Sequence, residues 1–479
     1  MTRLKLPLFA SLCLLAVVYP AAARPQVAAK DSLQCRTAPG SLASATSNAE
    51  IFRTDLCDPY SLAVMAYVWG KPIVDAAKIR VFFTRPDAPL TTRPPSVAGA
   101  ALNRFGHGRI LADPDNKSGV GPNNDTLYSN ATFDLTTGPF VVTTPDFGDR
   151  YYTFSVAHPD SSTSASLGSR THGSKLPPLF LHAAGYAGPI PAGMVPISSA
   201  DRYLHLWGRT LVTSPEDLPQ VRQLQDAMKI ERYVDGKLEP VGPPPPQRPF
   251  PASTGDEVFL RQLAVALEDM ALSPQDQAIA DRIRPLLETA QAAGESASVS
   301  KGLADGQTII AHAAAHFGKQ SGGWSVGLAG ARFGSDWLLR AAVAKDQIFV
   351  TVPEEAIYPI ARKAADGSEL TGAHRYRLHM DAPPPARAFW SITLYDDAGA
   401  MEPNPIERYS VGNRTRGLMR EDGTMRDIVI AHDEPRDRDA IWLPAPEGRF
   451  YLMMRLYGPE RAIQTGEWTP PIIDQIQAL

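Results

Sequence analysis

The sequence predicts a mainly β protein with a helical segment, α+β overall, built as two β-sandwich modules bridged by helices. Three observations point there. Proline is abundant, 44 of 479 residues, nearly twice the ordinary ~5%. A residue with fixed φ and no backbone N–H disfavours a mostly helical chain and suits short strands joined by stiff turns. Short apolar runs bounded by Gly, Pro, Asn or Asp fill the stretch after Pro95 and return after Phe349, whereas from Pro215 to about Val343 the apolar residues recur at helical spacing.

Taken in order, Arg3 and Lys5 precede an apolar run from Leu6 to Val18, followed by Tyr19-Pro20-Ala21-Ala22-Ala23. A charged start, an apolar centre and a small-residue cleavage site make residues 1–23 a secretory signal peptide. The apolar run is too short to cross ~30 Å of hydrocarbon comfortably. The mature chain is therefore expected to be exported, periplasmic or secreted, with no membrane span after processing. Cys13 leaves with the signal peptide. Cys35 and Cys57 remain as an even pair and are expected to form a disulfide tying the leader, residues 24–57, onto the first helix; two free thiols are the alternative.

The N-terminal module is expected over 58–214. It starts with a helix: Asp58 as N-cap, Pro59 in the first turn, then Leu62, Met65, Ala66 and Trp69 on one face, with Gly70-Lys71-Pro72 as a place where it could break or kink. Strands are expected at 127–134, 140–144, 151–158 and 204–213. The helical bridge, 215–345, carries amphipathic stretches at 258–272, 277–293 and 309–317, and a stiff polyproline linker from Pro243 to Pro251. The C-terminal module, 346–479, has strands at 373–380, 388–395, 427–432 and 449–457. A net charge of −4 lacks the basic footprint of a nucleic-acid binder.

Several motifs carry a resemblance. They are Gly121-Pro122-Asn123-Asn124-Asp125-Thr126-Leu127-Tyr128, Gly148-Asp149-Arg150-Tyr151-Tyr152, Gly168-Ser169-Arg170-Thr171 and Gly208-Arg209-Thr210 in the first module. Phe333-Gly334-Ser335-Asp336, Phe389-Trp390-Ser391-Ile392-Thr393-Leu394-Tyr395-Asp396, Asn404-Pro405, Arg408-Tyr409 and Trp442-Leu443-Pro444 come later in the chain. In this order they resemble the tandem of domain-of-unknown-function families 1254 (N-terminal) and 1214 (C-terminal), from about Ala66 to Pro471. Ile441 departs from the polar residue expected before Trp-Leu-Pro. The resemblance implies two β-sandwich modules around a helical segment, often on exported bacterial proteins, and no particular reaction.

For chemistry, Asn123, Asn124 and Asp125 concentrate amide and carboxylate groups in a turn that enters a strand, and alternation puts Thr126 and Tyr128 on one face. Such a turn can satisfy its own backbone, bind a polar ligand, or hold a divalent cation at Asn124/Asp125; no other cofactor is expected. Tyr128 and His158 are candidates for proton transfer, Asp125 for orienting and Arg150 for stabilising negative charge. Arg170 and Tyr152, with Trp390, Tyr395, Asn404 and Arg408 in the second half, are candidates for holding a hydroxyl-rich ligand through forked and stacking contacts; Arg455 and Tyr457 share the last long strand. His312 and His316 have helical metal-ligand spacing, but Ala313 stands where a zinc protease carries glutamate, so no metal site is assigned. No P-loop is present. Three readings are open: an exported enzyme acting on a small polar or hydroxyl-rich molecule by hydrolysis or elimination, a non-catalytic envelope protein that binds carbohydrate or another polar ligand, or a purely structural protein. A homo-oligomer is compatible with each.

Overall fold

Helix α1 (Pro59–Thr84) starts as its sequence dictates: the Asp58 carboxylate accepts the Ser61 amide at 3.1 Å, and Pro59 fills the first turn. It does not end at Gly70-Lys71-Pro72 but continues for 26 residues with Pro72 inside. The computed structural model describes residues 52, 58–85, 95–116, 121–252, 258–293 and 296–476. The expected signal peptide and both cysteines of the expected disulfide lie outside these described residues.

The N-terminal module contains β1 (Gly106–His107), β2 (Thr126–Asp134), β3 (Phe140–Thr143), β4 (Tyr152–Ala157), β5 (Thr163–Gly168), the short α2 (Ser169–His172), β6 (Leu179–Ala183), β7 (Val195–Ser199) and β8 (Tyr203–Leu211). After α3 (Leu218–Asp226) come β9 (Lys229–Val234) and β10 (Lys237–Pro240). One sheet runs β1-β2-β8-β4-β5 and the other β10-β9-β3-β6-β7. Their facing sides interdigitate through Phe133, Phe154, Val156 and Leu206 from the first and Phe140, Val142, Leu179 and Leu181 from the second. The β9–β10 hairpin falls within the stretch read as helical. Its residues are half-buried or exposed, without apolar alternation. Asp235 and Gly236, both at positive φ, make its turn.

The bridge supplies α4 (Phe259–Leu267), α5 (Pro274–Ala293), α6 (Ala297–His316) and α7 (Trp337–Gln347). They surround α1, which is apolar on nearly every side and so forms the centre of the bundle. One oxygen of Asp276 accepts both the Trp69 indole at 2.8 Å and the Trp337 indole at 2.9 Å, joining α1, α5 and α7.

The C-terminal module contains β11 (Lys319–Ser321), β12 (Trp324–Val326), β13 (Ala356–Ile357), β14 (Ile360–Ala361), β15 (Arg375–Leu378), β16 (Ala386–Asp396), β17 (Ser410–Gly412), β18 (Ile428–Ala431), β19 (Ile441–Pro444), β20 (Phe450–Pro459), α8 (Arg461–Gln464) and β21 (Ile473–Ile476). A seven-stranded sheet runs β11-β12-β14-β20-β16-β17, with β13 also on β20, and a four-stranded sheet runs β19-β18-β15-β21. Trp390, Ile392, Leu394, Leu452, Met454 and Leu456 face Tyr376, Leu378, Ile430 and Leu443 across this second core. The alternate residues of β16 and β20 point the other way, towards the first module.

A seam of buried charges and phenols joins the two modules. Asp125 accepts Ser391 Oγ at 2.6 Å and the Arg414 guanidinium. Glu355 accepts Tyr151 at 2.6 Å and Arg170 at 2.7 Å. Both carboxylates are fully buried. Among the described residues no helix is long and apolar enough to cross a membrane.

Candidate functional site

Strand alternation that sends Phe133 and Leu206 into the first core sends Thr126, Tyr128 and Asn130 of β2, with Trp207 and Arg209 of β8, to the opposite face. In the register of these strands Tyr128 stands opposite Arg209, and Asn130 opposite Trp207. From the other module, β20 presents Met453, Arg455 and Tyr457, and Tyr358 joins them. Between these two faces lies a cavity of about 240 Å³. Ile79 and Phe83 of α1, Val97, Ile110, and Ile348, Phe349 and Val350 after α7 make its walls mainly apolar.

The polar end is built around two arginines. Arg209 is 8% exposed and lies with its guanidinium carbon 5.4 Å from the Tyr128 ring centre. Burial opposes its charge, but the phenol oxygens of Tyr128, Tyr358 and Tyr457 outweigh that and hold the guanidinium above its ordinary value. Arg455 donates to Thr393 Oγ1 at 2.8 Å, to the Gly121 carbonyl at 2.8 Å and to the Tyr395 hydroxyl at 2.7 Å. Burial, then the neighbouring phenols, raises Tyr457 well above its ordinary value, so it stays a neutral phenol; its hydroxyl accepts Asn123 Nδ2 at 2.8 Å.

Two further features mark this place. Ser96 Oγ, Thr126 Oγ1, Asn130 Oδ1, Trp207 Nε1 and Arg209 Nε, all on lining residues, are buried without a protein partner, where most buried polar groups have one. Phe349, stacked on Trp207 with ring centres 5.1 Å apart, sits at φ 53°, a left-handed backbone rarely taken by a bulky residue.

Of the residues singled out from sequence, Tyr128 and Asn123 line the cavity, and Tyr395 lies one hydrogen bond behind it through Arg455. Asp125 sits in the seam. Both of its carboxylate oxygens receive donors, one of them a guanidinium, and Asn124 is tied to the Ala112 carbonyl and to Ser410; that arrangement engages the groups a cation at Asn124/Asp125 would need. Arg150 grips Asp217 and the Leu211 carbonyl, each at 2.7 Å, away from the cavity. Arg170 is spent on Glu355. Tyr152 stacks on Phe147, centres 3.9 Å apart, inside the first sandwich, and Trp390 is in the second core. Asn404 closes a turn on Arg408, whose guanidinium donates to the Trp442 carbonyl. His312 and His316 lie against each other with tilted rings, centres 4.4 Å apart.

His158 stands apart from the cavity in a different arrangement. Its Nδ1 is 3.2 Å from Asp201 Oδ2 and its Nε2 is 2.9 Å from Ser164 Oγ. Ser164 is the extra residue of a β-bulge, where Thr163 pairs with Ala157 and Ala165 with Val156.

Arg209, Tyr358, Arg455 and Tyr457 complete the cavity without having been chosen as site residues from sequence. Their signal was present: Arg209 and Arg455 are single charges inside otherwise apolar strands, positions where a lone cation needs a reason.

A four-sheet chain with a helical bundle and a cavity at the junction of its sandwiches is thus the class of protein defined here. More particularly, residues 102–232 match the model of DUF1254 (protein of unknown function) and residues 355–461 the model of DUF1214 (protein of unknown function), in that order. No curated protein matches it. Among solved structures it is similar to the VPA0106 protein from Vibrio parahaemolyticus, with TM-score 0.63 and 24% identity over 88% of this chain and all of that one, a likeness of fold. An uncharacterized protein from Burkholderia cenocepacia aligns with TM-score 0.45 and 14% identity over 89% of this chain and 92% of that one.

Proposed function

We propose that the chain binds a small organic molecule in the junction cavity, with its apolar body against Phe83, Phe349 and Met453 and its polar end towards Tyr128 and Arg209. The observation that carries this reading is the cluster of lining polar atoms without protein partners inside otherwise apolar walls. Those walls favour an apolar body over a hydroxyl-rich one. If the bound molecule is also transformed, Tyr128 is the group positioned to move a proton at its polar end, which keeps elimination chemistry within this reading. Binding is tested on the purified full chain with benzyl alcohol as probe, read by Trp207 fluorescence with Trp207→Phe as control. A saturable change that the variant lacks is expected; no saturable binding would overturn the reading.

Hydrolysis has separate support in the order Ser164–His158–Asp201, which matches the nucleophile, base and orienting acid of acyl-transfer enzymes. A fluorophosphonate should then label Ser164 in the native chain and fail to label the His158→Ala variant. Unlabelled Ser164 in the native chain would remove this second reading. Action after export rests on the N-terminal residues, and an unprocessed N-terminus on cytoplasmic protein would overturn it.

A further inference from the structure

Among the described residues four arginines are buried: Arg80, Arg209, Arg340 and Arg455. Two of them reach a carboxylate, Arg80 to Asp269 at 3.8 Å and Arg340 to Asp160 at 2.9 Å. The two that do not, Arg209 and Arg455, are the two that line the cavity.

They differ in how far they are satisfied. Arg455 has three hydrogen bonds of ordinary length, and Asp125 is among the charges that favour its protonated form. Arg209 has one hydrogen bond at the outer limit, Nη1 to Ser155 Oγ at 3.5 Å, beside the Tyr128 phenol that its guanidinium faces, and its Nε has no partner. The one carboxylate in the cavity wall, Asp346, is already held by Arg362 at 3.0 Å and Lys345 at 3.3 Å. The cavity wall therefore holds two guanidiniums that touch no carboxylate, and Arg209 is the one whose donors are left unengaged. Taking a cation out of water without a counter-charge is unfavourable, and a planar fork of N–H donors matches a carboxylate geometrically.

We infer that the cavity takes a small monocarboxylate with an apolar body, its carboxylate on Arg209. This rests on the proposal that the cavity is a binding site and adds the charge of what it binds. One free fork matches one negative charge, and the apolar walls disfavour an ion that must keep its water. Ser96 Oγ, Thr126 Oγ1 and Trp207 Nε1 are neutral donors on lining residues without protein partners.

The test compares benzoate with benzyl alcohol, nearly equal in size but differing in charge, by calorimetric titration of the full chain at pH 7. Benzoate should bind the native chain at least tenfold more tightly than the alcohol. Arg209→Met should lose that preference, leaving the two probes within about threefold of each other whatever the absolute affinity, and Arg209→Lys should retain part of it. Equal binding of both probes to the native chain, which needs no variant, would overturn the carboxylate assignment and leave the binding site standing. Binding of neither probe would overturn both.

Discussion

Asp125 is fully buried, yet its two oxygens take a hydroxyl from β16 and a guanidinium from the loop after β17, so its charge is compensated only by the other module. Asp125→Ala should destabilise the chain by about 3–5 kcal/mol in denaturant unfolding, because it strands the Arg414 charge in the seam. Asp125→Asn should cost less by keeping the Ser391 hydrogen bond. Alternation within β2 made the face shared by Thr126 and Tyr128 legible in the sequence alone. The fates of Arg150 and Arg170 were not legible, because their carboxylates, Asp217 and Glu355, are 67 and 185 residues away in sequence. An arginine at a strand end reads alike whether it awaits a ligand or a distant aspartate.

At the scale of elements, α1 and α6 lie close because α6 presents Gly302 and Gly306 one turn apart. A Cβ at Gly302 would stand 2.5 Å from the Tyr60 carbonyl oxygen and 2.7 Å from the Ala63 Cβ. Alanine favours a helix over glycine by about 1 kcal/mol, but a backbone oxygen cannot turn aside as a side chain can. Gly302→Ala should therefore lower stability by about 1–3 kcal/mol, seen as a reduced thermal midpoint. The start of α1 was legible in Asp58-Pro59; its passage through Pro72 was not, since local sequence rules end helices at proline and only the surrounding bundle overrides them. The β9–β10 hairpin was hidden for the opposite reason. Its strands carry no apolar alternation, and its one local sign was Asp235-Gly236.

Over the whole molecule, two histidines couple folding to acidity. His205 is pressed to about 3, first by burial and then by the positive charges of Arg80 and His158. His107 is pressed to about 4, first by burial and then by Arg109. Both fall below the ordinary 6.5 of an unfolded histidine, so the unfolded chain binds more protons as pH drops. Their contribution is intact above about pH 6.5 and is lost as pH falls towards 4 and then 3, with each histidine removing about 2 kcal/mol between pH 7 and pH 5. Urea unfolding should show that slope, and His205→Leu should flatten it by roughly half; an unchanged slope would exclude His205 as its source. The β-helical-β layout was legible in the distribution of proline and apolar spacing, whereas the junction was not, because neither module's sequence alone states what its outer face will meet. The seam has a practical corollary for anyone recombining such chains. Each half holds charges whose neutralising partners belong to the other: Asp125 and Arg170 on one side, Arg414 and Glu355 on the other. These halves are not interchangeable cassettes; a transplanted half must bring its counter-ions with it, or leave bare ions where it should dock.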